Sequence, residues 1–233
     1  MANTNSNGYT FGYAAVMTLI VAVALAGVSM GLKPMQDEAM ALDKKMQILN
    51  AVTSVTDKAE VTKLYGERVT EVVINEQGKE VQGAVAFDIE MKKEYRKPST
   101  ERKLPLYIYK EGSKTSYIMP LHGAGLWDEI WGFVALDGDL NTVVGTTFDH
   151  KGETPGLGAE ISKPWFQDQF KGKKLADNGQ FKLKVLKGKG NPIDGKPYDV
   201  DGMSGATITG DGIQDMIAKG YKSYLAYFKQ KKS

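Results

Sequence analysis

The sequence contains no cysteine. This absence excludes disulfide bonds, thiolate nucleophiles, cysteine-ligated iron–sulfur clusters and cysteine-type zinc sites. Only 2 histidines are present, and 30 basic residues against 28 acidic residues give a net charge of +2. Charges of both signs are interspersed after position 32, a composition that does not indicate a nucleic-acid-binding protein.

The amino-terminal part of the chain also lacks charge, since no charged side chain occurs before Lys33. Within it, the run Phe11–Leu32 is apolar or weakly polar, and as a helix it would be about 33 Å long, which matches a bilayer core. It lacks the basic segment of a cleaved signal peptide and is longer than the usual apolar core of one. We therefore predict a retained single transmembrane helix at 11–32 after a tail at 1–10, while charge counting leaves its orientation open.

The remaining chain is long enough for one globular domain. A total of 233 residues with 42% hydrophobic content can bury a sizeable core. After the apolar run, apolar residues recur at intervals of three and four, which predicts an amphipathic helical connector over 33–66. These residues are Met35, Ala39, Leu42, Met46 and Leu49. Residues 67–233 are assigned to the domain.

Apolar alternation and glycine-containing turns predict a series of β-strands in this domain. The predicted strands are Val69–Asn75, Val81–Ile89, Leu104–Tyr109, Lys114–Met119, Ile130–Leu136, Thr142–Phe148 and Phe181–Leu186. We expect a charged loop at Lys92–Lys103, a short helix at Pro164–Phe170 and an amphipathic helix at Gly210–Phe228 that packs on the sheet. Strands in runs with helices at the ends predict an α+β domain.

Two stretches are similar to catalytic motifs but depart from them. Gly190–Lys196 fits the first seven positions of a P-loop, yet Pro197 stands where a magnesium-binding hydroxyl is required and no helix is expected to follow. Gly202–Gly205 invites comparison with the nucleophile elbow of serine hydrolases, but its second glycine comes one residue too early. His122 and His150 would be the candidate bases of such a triad.

The segment Asp201–Thr209, DGMSGATIT, lies directly before the predicted carboxyl-terminal helix. Its small residues would let a ligand approach the backbone, and the first amides of the helix favour a phosphate. The alternative is an ordinary helix cap with Thr207 or Thr209 as the N-cap residue. Because the segment contains no lysine, a phosphate here would need no ion pair if a covalent bond held it.

This segment carries the pattern D-x-x-S-G-A-T, formed by Asp201, Ser204, Gly205, Ala206 and Thr207. The pattern resembles the flavinylation motif of the FMN-binding domain family. The resemblance implies that Thr207 carries FMN through a phosphoester and acts as an attachment point rather than as an acid or base. Since such a bond does not directly alter the isoalloxazine ring, the surrounding pocket must tune its redox properties.

Two further sets of residues extend the resemblance. Gly152–Gly158, GETPGLG, is similar to the other signature of the FMN-binding domain family. Gly125–Trp127, Gly132–Leu136 and Asn141–Gly145 resemble the C subunits of the sodium-translocating NADH:quinone oxidoreductase, and the likeness runs from the membrane anchor almost to the end of the chain. The nearest alternative is the G subunit of the Rnf ferredoxin:NAD oxidoreductase. That family is similar in its membrane anchor, in the GETPGLG stretch and in the SGAT motif.

The resemblance implies that the flavin lies against the GETPGLG segment and one tryptophan. The expected contacts are Glu153, Thr154, Pro155, Gly156, Leu157, Gly158 and Trp127. Pro155 and Leu157 would be apolar walls, the glycines would permit close approach of the backbone, and Trp127 would pack near the ring. Trp127 could instead be a core residue and Glu153 a solvated turn residue. No role is assigned to His150.

The resemblance further implies a function in electron transfer. The chain would be a membrane-anchored flavoprotein subunit of a sodium-transporting NADH:ubiquinone reductase, a translocase of the bacterial inner membrane, with its soluble domain on the periplasmic side. Its partners would be the other subunits and, during maturation, a flavin transferase. With no dinucleotide fingerprint and no cysteine, NADH oxidation and cluster binding are expected on those subunits. We expect no catalytic acid or base, no metal site and no nucleic acid.

Two alternatives come from other functional classes. One is a non-enzymatic anchored envelope protein, in which the SGAT tetrapeptide is only a helix cap. The other is a serine hydrolase with Ser204 as its nucleophile. The first predicts that no flavin is attached in the presence of a flavin transferase, and the second predicts that a phosphonate probe labels Ser204.

Overall fold

The amino-terminal part of the chain is one long helix. In the computed structural model, which describes residues 6–232, helix α1 spans Asn7–Asn50, and the chain up to Lys44 forms a compact unit of its own. An 18-residue window of α1 has a mean hydropathy of 2.3, and none of it is buried. An apolar helix with no protein covering it is suited to a bilayer. Residues 1–5 of the predicted tail lie outside the described residues, and α1 already begins at Asn7.

The second unit, Lys45–Ser233, is built around a five-stranded antiparallel sheet in the order β1-β2-β3-β4-β5. The strands are β1 Val69–Ile74, β2 Leu104–Glu111, β3 Lys114–Ala124, β4 Glu129–Leu136 and β5 Val143–His150. Each strand pairs with the next one in the chain, so the sheet is a meander with local connections. The five corresponding predictions from apolar patterning are confirmed.

The predicted strand Val81–Ile89 is wrong. After β1 the chain forms a single bridge between Ile74 and Glu80 and then leaves the sheet, and a short 3₁₀ turn follows at Ala86–Asp88. Gly83 explains the break because its φ of +74° is incompatible with an extended strand. The loop that follows is held to the first two strands by side chains, since the Phe87 amide donates to the Glu71 carboxylate and the Tyr107 hydroxyl donates to the Ala86 carbonyl.

The segments before the sheet and before β2 contain short helices. The connector expected at 33–66 is interrupted, since α1 ends at Asn50 and helix α2 spans Lys58–Arg68. The carboxylate of Asp57 caps α2 by accepting a hydrogen bond from the Glu60 amide at 2.9 Å. The loop expected at Lys92–Lys103 includes most of the short helix α3, Met91–Glu94, and a 3₁₀ turn.

The segment between β5 and the carboxyl-terminal helix has little regular structure. It contains helix α4, Pro164–Gln167, followed by a 3₁₀ turn, as predicted. Four two-residue strands follow, namely β6 Ala176–Asp177, β7 Gln180–Phe181, β8 Lys184–Val185 and β9 Asp199–Val200. The strand predicted at Phe181–Leu186 is therefore only partly correct, because its two halves pair with different partners.

The carboxyl-terminal helix α5, Thr207–Lys232, packs across the sheet on β3. Its predicted apolar face is buried, which confirms Ile213, Met216, Ile217, Tyr221, Tyr224 and Phe228 as core residues. Glycines bring helix and strand close together: a Cβ on Gly220 would overlap Leu121, and one on Gly212 would overlap the Ala124 carbonyl. Burial of each large apolar side chain contributes about 1.5–3 kcal/mol to folding.

Candidate functional site

The GETPGLG segment contains a tight turn that the sequence explains residue by residue. The amide of Leu157 donates a hydrogen bond to the Thr154 carbonyl at 3.1 Å. Gly156, the third residue of the turn, has a φ of +75°. A type II turn requires this conformation at its third position and favours proline at its second, where Pro155 stands. The turn leaves Thr154, Pro155 and Leu157 exposed.

The D-x-x-S-G-A-T segment contains a second turn of the same kind. The amide of Ala206 donates to the Met203 carbonyl at 3.2 Å, and Gly205 has a φ of +71°. A Cβ on Gly205 would also come within 2.8 Å of the Leu157 side chain. Glycine is therefore required here both for the backbone conformation and for contact with the first turn. The two sequence signatures, far apart in the chain, meet at this point.

Helix α5 begins immediately after this second turn. The Gly210 amide donates to the Ala206 carbonyl at 3.0 Å, which makes Ala206 the N-cap residue. Alanine has no side-chain oxygen, so the alternative of a hydroxyl cap from Thr207 or Thr209 is wrong. The first amides of a helix have no intrahelical acceptor and carry partial positive charge. The start of α5 can therefore hold an anionic group.

The three hydroxyls of this segment have different environments. Thr209 is 1% exposed, and its Oγ1 donates to Glu153 at 2.6 Å. Ser204 is exposed in the turn, and Thr207 is half-buried at the first position of α5. Within residues 6–232, the Thr207 hydroxyl forms no hydrogen bond. Thr207 thus has a free oxygen at the helix start, whereas the oxygen of Thr209 is already used.

Glu153 lies inside the protein between the two signatures. It is 4% exposed, which rules out a solvated turn residue. Its Oε1 accepts a hydrogen bond from the Trp127 amide at 2.9 Å, and its Oε2 accepts from Thr209. The Glu153 amide donates to Nδ1 of His150 at 3.2 Å, a contact that gives His150 a structural role the sequence did not suggest.

Exposed apolar side chains surround the start of α5. Trp127 is 69% exposed, so it is not a core tryptophan, and Ile208 is 57% exposed. In the described part of the second unit, the exposed large apolar residues are Val85, Leu126, Trp127, Leu157 and Ile208. All except Val85 belong to the segments that meet here. Exposed apolar side chains that gather on neighbouring segments are typical of a binding surface.

Asp201 connects the second turn to the stretch that is similar to a P-loop. Its carboxylate accepts hydrogen bonds from the amides of Gly190, Asn191 and Gly202 at 2.7–3.0 Å and from the Asn191 side chain at 2.8 Å. Burial acts to raise the pKa of Asp201, but these hydrogen bonds outweigh it and lower the pKa below the usual range. The stretch Gly190–Lys196 is therefore a loop held by hydrogen bonds to the Asp201 carboxylate.

The histidines are engaged elsewhere. His150 accepts from the Glu153 amide, and Nε2 of His122 lies 3.4 Å from the Glu129 carboxylate. Among the described residues, neither histidine forms a hydrogen bond with Ser204. The arrangement lacks the nucleophile–base contact that a serine hydrolase uses.

Sequence reasoning missed Ile208, Leu126 and Thr209 as parts of the site. Ile208 had a detectable signal, because an apolar residue in the first turn lies outside the buried face of α5. The role of Thr209 had no signal in the sequence, because its hydrogen-bond partner Glu153 is 56 residues away and no local pattern relates the two.

Comparison with known proteins places this site in a described domain family. A family profile described as FMN-binding domain matches residues 125–222, which include both turns and Trp127. The chain is 35% identical to the C subunit of the Na(+)-translocating NADH-quinone reductase of Neisseria meningitidis serogroup A, with 93% of this chain and 91% of that protein covered. It is 33% identical to the protein of the same name from Pseudomonas aeruginosa, with 97% of each chain covered.

A solved structure supports the same relationship. The crystal structure of the C subunit of the Na(+)-translocating NADH-quinone reductase from Parabacteroides distasonis superimposes with a TM-score of 0.75 and 38% sequence identity. The match covers 84% of this chain and 96% of that chain. The fold of the described domain is thus shared with a protein of that name.

Proposed function

The chain belongs to the family of C subunits of the Na(+)-translocating NADH-quinone reductase, and on that premise we propose that it is an FMN-carrying electron-transfer subunit of such a complex. The observation that carries the proposal is the free hydroxyl of Thr207 at the start of α5, next to the exposed Ile208 and directly after the turn at which Gly205 meets Leu157. When bound, FMN supplies the electron-accepting and electron-donating chemistry that no side chain of this protein offers.

The residues at the start of α5 fit a flavin phosphate. Thr207 would hold FMN through Oγ1: the new ester bond to phosphorus would form as the anhydride bond between that phosphorus and the rest of an activated flavin donor breaks. The departing group would take the threonine proton, and the protein would gain the mass of FMN less one water. The free amides of the first helical turn then favour the remaining negative charge of the phosphate. The two residues directly before Thr207, Gly205 and Ala206, are small and leave space for the flavin transferase that would catalyse this step.

The exposed apolar residues fit the isoalloxazine ring. Leu126 and Trp127 lie on the turn between β3 and β4, Leu157 lies on the GETPGLG turn, and Ile208 lies on α5. A large aromatic ring bound between them removes apolar surface from water, at about 25 cal/mol per Å². Thr154 and Pro155, exposed on the same turn as Leu157, complete the surface offered to the ring.

The glutamate of the GETPGLG segment takes a different role from the one expected. Glu153 and Gly158 are buried, and both oxygens of Glu153 are hydrogen-bonded within the protein. We assign the flavin contacts to the exposed residues of the segment and assign Glu153 to its support.

The proposal includes a membrane anchor and partner subunits. Helix α1 is long and apolar enough to cross a bilayer, and we place the second unit on the periplasmic side of the bacterial inner membrane. NADH oxidation, quinone reduction and sodium transport would belong to the complex as a whole, which we describe as a translocase. The Rnf G subunit is not favoured, because the similar proteins are named as C subunits of the NADH-quinone reductase and match over nearly their full length.

The attachment site can be tested by the intact mass of the denatured full-length protein after coexpression with a flavin transferase. We expect the mass of FMN less water on the wild type and on Ser204→Ala, and no added mass on Thr207→Ala. Retention of the flavin by Thr207→Ala would contradict attachment at this residue. A control substrate protein in the same cells shows that the transferase is active.

The side of the membrane can be tested because the chain has no cysteine of its own. A cysteine introduced at exposed Asp194 should react with a membrane-impermeant maleimide once the outer membrane is permeabilised. Labelling that requires disruption of the inner membrane would place the domain in the cytoplasm.

A further inference from the structure

The carboxyl group of Glu153 connects three separate segments of the site. It belongs to the GETPGLG segment, its Oε1 binds the Trp127 amide in the turn between β3 and β4, and its Oε2 binds Thr209 in the first turn of α5. We propose that Glu153 is a positioning residue that holds the Trp127 turn against α5 and so sets the spacing between the apolar walls of the flavin site. This inference rests on the proposed function and concerns what supports the site.

The packing around Glu153 indicates that this connection is specific. A Cβ on Gly125 would overlap Oε1, and a Cβ on Gly158 would overlap Oε2. The main chain therefore approaches the carboxyl group from two sides, and any side chain at either position would displace it. Thr209 lies 1% exposed beside them, so the contact is shielded from water.

The hydrogen bonds of Glu153 have no substitute nearby. In the part of the chain that the structure describes, Glu153 forms no ion pair with lysine, arginine or histidine, and its oxygens depend on one amide and one hydroxyl. A carboxyl oxygen that is buried in this way and loses its donor has no described cation to replace it, and leaving it unpaired costs free energy. Removal of the Thr209 hydroxyl should therefore disturb Glu153 and, through it, the Trp127 amide.

The walls of the site are attached to both ends of this connection. Trp127 and its neighbour Leu126 are on one side, and Ile208, which precedes Thr209, is on the other. Thr207, the proposed attachment point, lies two residues before Thr209 in the same helical turn. If Glu153 fixes the separation of these segments, it also fixes the position of the Trp127 ring relative to a flavin held on Thr207.

The first test uses the flavin-free full-length chain, produced without a flavin transferase and solubilised in detergent. Amide hydrogen exchange is measured in the peptide that contains Trp127. We expect exchange of the Trp127 amide to become about tenfold faster in Thr209→Val, which is similar in shape but has no hydroxyl. Thr209→Ser keeps the hydroxyl and should exchange like the wild type.

The outcome separates positioning from general stability. Among the described residues Thr209 forms no hydrogen bond with Trp127, and the two meet at the carboxyl group of Glu153. Faster exchange at Trp127 in Thr209→Val, with unchanged exchange in the β1–β2 pair, therefore supports transmission through Glu153. Equal exchange at Trp127 in Thr209→Val and the wild type would overturn the proposal, even if the melting temperature fell. Because no flavin is present, this result does not depend on whether Thr207 is modified.

The second test uses the flavin-loaded chain and a double-mutant cycle. The visible circular dichroism of the flavin and its reduction potential are measured in Thr209→Val, Trp127→Ala and the double variant. If Glu153 acts by placing Trp127, Thr209→Val changes both properties in the wild-type background and has little further effect once Trp127 is removed. Additive changes would overturn the proposal. A chain without flavin in the wild type would instead contradict the proposed function.

Discussion

The two ends of α5 are built from different residues and have different neighbours. Its amino-terminal end, Thr207–Gly212, has hydroxyls and glycines, one exposed isoleucine and free backbone amides. Its carboxyl-terminal end has a cluster of buried aromatic residues, formed by Tyr221, Tyr224, Tyr227 and Phe228. One helix therefore contains both the proposed attachment point, Thr207, and a large part of the domain core.

The aromatic face of the carboxyl-terminal end is buried. Tyr224 is fully buried, its ring stacks with Phe228 at 6.1 Å, and its hydroxyl donates to the Pro105 carbonyl at 2.6 Å. Burial raises the pKa of the Tyr224 phenol well above its usual value, which keeps it a donor. A Cβ on Gly78 would lie 2.7 Å from the Tyr227 amide nitrogen. The turn after β1 therefore packs directly against the backbone of this end of α5.

This difference shows how the domain can tolerate an exposed apolar site. Free amides and exposed apolar side chains contribute little to folding, and they accumulate where binding requires them. The buried aromatic residues at the carboxyl-terminal end of α5 stabilise the domain more than the exposed residues at its amino-terminal end do. Substitutions at the aromatic end should therefore lower stability while leaving flavin attachment intact. Substitution of Thr207 should prevent flavin attachment with little loss of stability.

The largest effect on stability is expected for Tyr224→Ala. Removal of a fully buried aromatic side chain should lower the free energy of unfolding by about 3–5 kcal/mol. Urea unfolding of the full-length chain, followed by near-ultraviolet circular dichroism, measures this loss. Tyr224→Phe removes only the hydrogen bond and should lose about 1–2 kcal/mol. A loss below about 1 kcal/mol in Tyr224→Ala would mean that the aromatic end is not the main source of stability.

A smaller effect is expected for Gly205→Ala, for which Gly83→Ala is a matched control. Both glycines have a φ near +70°, but a Cβ at Gly83 meets open space, whereas one at Gly205 meets Leu157. We expect a loss of about 1 kcal/mol for Gly83→Ala from backbone strain alone and about 1–3 kcal/mol more for Gly205→Ala. Only Gly205→Ala should also reduce flavin attachment, as measured by intact mass. Equal behaviour of the two variants would argue against the contact between the turns.

Asp201→Asn should have a moderate and pH-dependent effect. The asparagine presents an amide group to one of the backbone N–H donors, so we expect a loss of about 1–2 kcal/mol at pH 7. Because the folded pKa of Asp201 is lowered, its stabilisation is present above the usual aspartate range and is lost as the pH falls through the folded pKa. Unfolding curves at several pH values should therefore converge for wild type and variant in acid. A constant difference down to about pH 2 would contradict the role of the carboxylate.

The smallest effect on stability is expected for Trp127→Ala. A side chain that is 69% exposed contributes little to the core, so the free energy of unfolding should change by no more than about 0.5 kcal/mol. The visible circular dichroism of the attached flavin should nevertheless change, because an aromatic neighbour is lost. Trp165 is a matched control, because it is half-buried and its indole N–H donates to Glu160. Trp165→Phe should lower the free energy of unfolding and leave the flavin circular dichroism unchanged. An unchanged flavin spectrum in Trp127→Ala would remove Trp127 from the site.

Much of the fold could be predicted from the sequence because many of its contacts join elements that are neighbours in the chain. The five strands of the meander pair with chain neighbours, and the buried face of α5 follows from the spacing of Ile213, Met216 and Ile217. The failures occurred where the chain leaves regular structure. The strand expected from Val81 onward does not form, because Gly83 has a positive φ, and the strand expected from Phe181 divides between two partners.

The candidate site could be predicted from the sequence only in part. The turns at Gly156 and Gly205 could be expected from glycine and proline placement, and Thr207 follows from a specific motif. The roles of Glu153 and His150 could not, because hydrogen bonds between residues distant in the sequence depend on how the whole sheet and α5 are assembled. Burial of Glu153 also shows that the alternative of a solvated turn residue is wrong.

The most direct test of the division between the two ends of α5 compares Thr207→Ala with Tyr224→Phe. Covalently bound flavin and the midpoint of thermal unfolding are measured on the same preparations of full-length protein. We predict that Thr207→Ala carries no flavin and melts within about 2 °C of the flavin-free wild type, whereas Tyr224→Phe carries full flavin and melts about 2–8 °C lower. Flavin on Thr207→Ala, or loss of flavin from folded Tyr224→Phe, would contradict the account.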